Sequence, residues 1–207
     1  MIFDQILRIP KERVLEPLAK GPFKSVNPTT VTLIASGAAI AAGLTAWQGQ
    51  TGATLGLWLL NRTLDGLDGT IARVNNRQSD FGGYLDIVLD MVSYVAIPLG
   101  MAFSVNQKGV FIALAVLFGV FYINNAAWMM LSANLEKRAQ GAKARNELTT
   151  VTMPRAIIEG GEAVLFYSLF ILFPGWLLEL FSVLAILTFA SAIYQVRSAY
   201  RYMRAEI

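Results

Sequence analysis

Six apolar stretches of roughly twenty residues, parted by short polar connections, restrict this chain more than any other feature. They lie at roughly 30–48, 52–73, 83–104, 109–133, 156–173 and 176–196. At about 1.5 Å of rise per residue, stretches of this length cross a hydrocarbon layer of about 30 Å as helices. The expected fold is therefore an all-α membrane protein with six transmembrane helices. Composition agrees: 55% of the 207 residues are apolar and 15% are charged, and the mean hydropathy is +0.51, too oily for a soluble domain of this length. There is no cysteine and no histidine. Disulfides, thiolate metal sites and imidazole chemistry are thereby excluded, and acid–base or metal chemistry falls to Asp, Glu, Lys and Tyr.

The connections alternate in character, and lysine and arginine follow them. The N-terminal segment carries Arg8, Lys11, Arg13, Lys20 and Lys24. The second connection carries Arg77 with Arg73 at its edge, the fourth carries Lys137, Arg138, Lys143, Arg145 and Arg155, and the C-terminus adds Arg197, Arg201 and Arg204. Only Lys108 falls on the other side. The positive-inside rule then predicts cytoplasmic termini in an integral membrane protein, in the cytoplasmic membrane of a bacterium or archaeon. This belt accounts for the pI near 9.3, so nucleic acid is not an expected partner. Residues 1–27 read as an amphipathic juxtamembrane segment, an interfacial helix in which Ile2, Phe3, Ile6, Leu7, Val14, Leu15 and Leu18 face lipid and the basic residues meet anionic headgroups. Residues 28–207 read as one six-helix domain.

Five aspartates interrupt this apolar plan between Leu64 and Asp90, in LDGLDGTIARVNNRQSDFGGYLDIVLD. Asp65 and Asp68 are three apart on a helix and share a face, which Gly69 and Ala72 continue. Asp86 and Asp90 are four apart on the next helix, with Gly82 one turn before Asp86. The short connection makes the two helices antiparallel neighbours, so the four acids are expected to converge in the cytoplasmic half of the membrane, with Asp80 solvated or capping the third helix. Bare carboxylates gathered at low dielectric repel, and protons or cations must relieve them. Oxygen-only ligation points to Mg²⁺ or Mn²⁺, with two ions expected. Three readings stay open on chemistry alone: a metal-dependent phosphoryl-transfer site, a proton relay or ion-coupled transporter using the acids as its cation site, and helix packing.

Asp65, Asp68, Gly69, Ala72, Arg73, Gly82, Asp86 and Asp90 match D-x2-D-G-x2-A-R-x8-G-x3-D-x3-D without a gap. Eight fixed positions arise by chance on the order of 10⁻¹⁰ per start point. The chain thus resembles the CDP-alcohol phosphatidyltransferase family, and VNPTTVTL, with Asn27 and Thr30, is similar to the element that opens the first membrane helix there. An Asn-Pro turn with a Thr cap explains that second match equally well.

The resemblance implies transfer of a substituted phosphate from CDP-diacylglycerol or a similar CDP-alcohol to an alcohol acceptor, with release of CMP, in a homodimer. It implies that Asp65, Asp68 and Asp86 ligate divalent metal, that Asp90 ligates the second ion and is the base for the acceptor hydroxyl, and that Asn27, Thr30, Asp68, Gly69, Ala72, Arg73 and Gly82 surround the nucleotide. The acceptor is not named by any motif. Arg155, Glu159 and Glu162 are the candidates for binding a polyol, an amino alcohol or a phosphorylated polyol, with helix capping the competing role for the two glutamates.

Overall fold

The computed structural model describes residues 14–145, 147, 149, 151–154 and 156–204. Beyond a helical stretch at residues 14–20, six helices follow in order: α1 Pro28–Trp47, α2 Thr51–Val74, α3 Asp80–Val105, α4 Lys108–Lys137, α5 Gly160–Leu172 and α6 Leu177–Arg204, the last entered through a 3₁₀ turn at Pro174–Trp176. No strand occurs among the described residues. Local chemistry explains the boundaries. Asn27 accepts a hydrogen bond from the Thr29 N–H (3.0 Å) just ahead of Pro28, which pre-sets the first helical turn. Ser79 caps α3 by accepting from the Gly82 N–H at 3.1 Å, and Asn106 closes that helix in the left-handed conformation. Asp80 stands in the first turn and leaves the capping role to Ser79.

The six-helix order follows the expected segments, but six crossings by length and apolarity do not. Among the described residues, four runs are long and apolar enough to span a membrane: Pro28–Trp47, Asp80–Val105, Lys108–Lys137 and Pro174–Arg204. Helix α2 has 24 residues but carries Arg62, Asp65, Asp68 and Arg73. Helix α5 has only 13 residues, about 20 Å of rise, because Glu159 caps it late and Pro174 follows it early.

Packing departs from the expected hairpin in one consequential way. Helix α1 lies against both α2 and α3, and those two contacts are the most extensive in the molecule, whereas α2 and α3 are not closely packed on one another. Small residues make this possible. Ala35, Ala38, Ala39, Ala42, Gly43 and Ala46 are buried along α1. A methyl group at Gly43 would stand 2.6 Å from the Ala96 carbonyl oxygen, and one at Gly100 would overlap the Gly43 carbonyl oxygen. Backbone therefore meets backbone between α1 and α3, as small residues permit where helices associate in lipid. With α1 wedged behind them, the acid-bearing helices splay and leave a gap between their polar faces.

Helices α4 and α6 pack on each other, and α5 joins them to α2 and α3. The main core sits there, around Trp58, Leu117, Tyr167, Phe170, Phe181 and Leu184. A smaller cluster of Leu15, Ala19, Val31, Leu67 and Ile71 fixes the N-terminal stretch beneath the gap. Leu15 is only 4% exposed, so it packs on protein instead of facing lipid. Val14 and Leu18 are exposed, while Ile2, Phe3, Ile6 and Leu7 lie outside the described residues.

Candidate active site

The gap is a cavity of about 620 Å³ whose walls come from the start of α1, the end of α2, the start of α3 and Thr149, Val151 and Met153. Asn27, Asp68, Gly69, Ala72, Arg73, Gly82 and Asp86 all line it. Seven of the residues singled out in the sequence thus meet around one space. A methyl on Gly69 would stand 3.1 Å from Arg73 Nη1, and one on Gly82 would stand 2.9 Å from the Ser79 hydroxyl that caps α3. Arg73 also donates to Thr70 Oγ1 at 3.3 Å, which holds its head over the Gly69 strip.

Asp65 and Asp90 do not line the cavity. They lie one turn further into the bundle and turn to Arg62, whose Nη2 donates to Asp90 Oδ1 at 2.6 Å and whose Nη1 is 3.9 Å from Asp65 Oδ2. Asp65, Asp68 and Asp90 nevertheless all act electrostatically on Asp86. The four acids therefore form one charge cluster divided between two settings.

A hard divalent cation suits this donor set, which is oxygen only. Asp86 Oδ1 is buried without a hydrogen-bond partner, a state that a ligated cation would relieve. As arranged, no three acidic side chains among the described residues converge on one metal position. In this arrangement Asp65 and Asp90 face Arg62.

Other expected residues stand elsewhere. Thr30 is exposed and does not line the cavity, where its neighbours Thr29 and Thr32 do. Glu159 and Glu162 also stand outside the lining. They form the capping box of α5, Glu162 accepting from the Glu159 N–H at 3.1 Å and the Glu159 carboxylate from the Glu162 N–H, while Glu159 Oε1 also accepts from the Ala156 N–H at 3.2 Å. Arg155 lies outside the described residues. Nor do Lys137, Arg138, Lys143 and Arg145 reach the cavity.

Thr149, Val151 and Met153 do. Two glutamates seat this wall. Glu136 Oε1 accepts from the N–H groups of Ala142 (2.8 Å) and Thr152 (2.9 Å), and Glu147 accepts from the Thr152 hydroxyl (3.0 Å) and the Met153 N–H (3.1 Å). Ser25, Arg77, Gln78 and Ser79 complete a polar rim that sequence reasoning did not single out. Their only available signal was position, beside Asn27 or in the α2–α3 turn.

The model of the CDP-alcohol phosphatidyltransferase family matches residues 25–194. The chain belongs to this family. Phosphatidyltransferases of this kind carry a phosphatidyl group from a CDP-alcohol in lipid biosynthesis, and this one is an integral membrane enzyme. It is 30% identical over 148 residues to the inner membrane protein YnjF of Escherichia coli, covering 72% of this chain and 70% of that one. It is 31% identical over 131 residues to the bifunctional IPC transferase and DIPP synthase of Aquifex aeolicus, covering 62% of this chain and 28% of that longer one. In fold the phosphatidyltransferase is similar to the phosphatidylinositol phosphate synthase of Mycobacterium tuberculosis with CDP-DAG bound, with a TM-score of 0.72, 19% identity and coverage of 91% and 94% of the two chains. The same synthase in complex with manganese and citrate gives a TM-score of 0.67 at 19% identity, with 90% and 88% covered.

Proposed function

We propose that the protein transfers the phosphatidyl group of CDP-diacylglycerol, or a close CDP-alcohol, to an alcohol acceptor in the cavity between α1, α2 and α3. The observation that carries this reading is the meeting of Asp68 and Asp86 with Gly69, Ala72, Gly82 and Arg73 around one space. Carboxylates there hold cations, and missing side chains admit a nucleotide against the backbone. Arg73 and Arg77, both in the lining, supply charge for the pyrophosphate oxygens. Asn27, Thr29 and Thr32 offer polar groups at the mouth of α1.

Asp65, Asp68, Asp86 and Asp90 would hold Mg²⁺ or Mn²⁺, two ions when Asp90 takes part. Bound there, the metal supplies charge stabilisation for the departing CMP. Asp90 receives the proton of the acceptor hydroxyl, which attacks the phosphorus of the phosphatidyl group; the bond to the CMP oxygen breaks and CMP leaves. The cavity opens at the helix ends next to the Arg73 and Arg77 turn, and the charge pattern puts that end in the cytoplasm. Lipid tails then stay in the bilayer while the nucleotide enters from water. Homodimerisation is part of the proposal, as is the juxtamembrane role of residues 1–27.

The decisive experiment incubates purified protein with labelled CDP-diacylglycerol, Mg²⁺ or Mn²⁺, and a panel spanning polyols, amino alcohols and polyol phosphates, with lipid products read by mass. A new phospholipid together with CMP, both requiring metal, is the expected result, and the product mass names the acceptor. Protein that binds no cytidine nucleotide with either metal would exclude the reading and favour an ion-coupled transporter using the same acids.

A further inference from the structure

Arg62 is a charged side chain with only 12% of its surface exposed, one turn from the acids, and the chemistry above makes no use of it. Its surroundings are built. The Asn61 side chain accepts from Arg62 Nε at 2.8 Å, while donating to the Ala35 carbonyl of α1 at 2.8 Å and standing 3.5 Å from the Ser93 hydroxyl of α3. The guanidinium carbon lies 4.7 Å from the Trp58 ring centroid and 5.5 Å from that of Tyr94. Trp58 is stacked on Tyr167 and donates to Ser168 Oγ at 3.3 Å, so α5 fixes the aromatic floor. Beneath it, Pro98 deprives the Tyr94 carbonyl of its helical donor, and the Tyr167 hydroxyl replaces that donor at 2.6 Å.

We propose, resting on the active-site reading above, that Arg62 is a resident counter-cation that holds Asp90 and Asp65 and gives up Asp90 when divalent metal enters, thereby setting metal affinity. Two observations and one electrostatic requirement carry it. Asp90 and Asp65, two of the four acids, are bound to Arg62 instead of converging with Asp86. Asp90 is only one of several contacts that hold the guanidinium, so its departure leaves Arg62 seated on Asn61, Asp65 and two aromatic faces. The charge also has a job without metal, since four clustered carboxylates in an apolar bundle require a nearby cation. Arg62 is thus a positioning residue, acting through Asp90.

The sign of the effect separates this role from a structural one. A positive charge beside two ligands opposes metal, so Arg62→Met should bind Mn²⁺ tighter by on the order of tenfold, measured without lipid substrate from the electron paramagnetic resonance signal of free Mn²⁺. Arg62→Lys retains the charge and should stay within about threefold of the native affinity. An Arg62 that merely braces the site predicts weaker Mn²⁺ binding in Arg62→Met, and weaker or unchanged binding overturns the proposal. If Arg62→Met does not yield folded protein, W47F/W128F/W176F leaves Trp58 as the sole tryptophan. Mg²⁺ should then shift its emission as Asp90 leaves the guanidinium above the ring, and constant emission at saturating Mg²⁺ overturns the proposal. Asp86→Asn serves as the control. Mn²⁺ binding indifferent to Asp86→Asn sinks the active-site reading itself, whereas binding lost in Asp86→Asn but not tightened in Arg62→Met sinks only the role of Arg62.

Discussion

Asp68 and Asp86 open onto the cavity, while Asp65 and Asp90, one helical turn further from the α2–α3 connection, point to Arg62. The outer pair stands among Gly69, Ala72 and Gly82, where absent side chains leave room for a ligand. The inner pair stands beside Arg62, which the Asn61 side chain and the Trp58 and Tyr94 rings hold in place. One signature of four acids therefore folds into two environments. The outer pair faces the space that a ligand would fill, and the inner pair faces Arg62.

The largest effect should come from removing the inner acid that the mechanism uses. Asp90→Asn is expected to lower turnover by about 10³-fold or more through loss of a base and ligand, measured as CMP release under saturating donor. Turnover within about tenfold of native would remove Asp90 from the base role.

The scaffold behind both pairs can be broken separately. Gly100→Ala forces a methyl into the Gly43 carbonyl and should destabilise the protein by about 1–3 kcal/mol through overpacking. Gly37→Ala, where nothing stands within 4 Å, should melt like the native protein in detergent. Equal melting of the two variants would show that the α1–α3 contact does not set the gap between the acids.

The smallest effect sharpens the inner side alone. Tyr167→Phe leaves the Tyr94 carbonyl without its donor, at a cost of about 1 kcal/mol. It should lower the melting temperature slightly while leaving metal-dependent nucleotide binding intact, because the outer pair has no contact with Tyr167. A loss of nucleotide binding would mean the two sides are not separable.

Much of this was legible beforehand because it is local. Helical spacing puts Asp65 and Asp68 on one face and Asp86 and Asp90 on another, and glycines beside them advertise room for a ligand. The split between the pairs was not legible, since it depends on Arg62 reaching Asp90 across 28 positions. The adjacent Asn61 and Arg62 were visible as polar residues in an apolar segment, yet nothing local says which acid they serve. Glu159 and Glu162 carried the spacing of a capping box as well as that of a site, and capping is the role in which they are found. The wall of Thr149, Val151 and Met153 had no periodicity to read. Its place follows from Glu136 and Glu147 gathering backbone N–H groups, a tertiary choice open to several glutamates. The wedge of α1 was foreshadowed by its alanines and Gly43, although a short α2–α3 connection argued for direct packing of those helices.

The division of labour between the acids is tested most directly by Mn²⁺-dependent binding of CMP to Asp86→Asn and Asp90→Asn, measured side by side by calorimetry in detergent. Asp86→Asn should lose the metal-dependent binding, while Asp90→Asn should keep it within a few-fold of native and still fail to transfer. Retention in Asp86→Asn together with loss in Asp90→Asn would contradict the account.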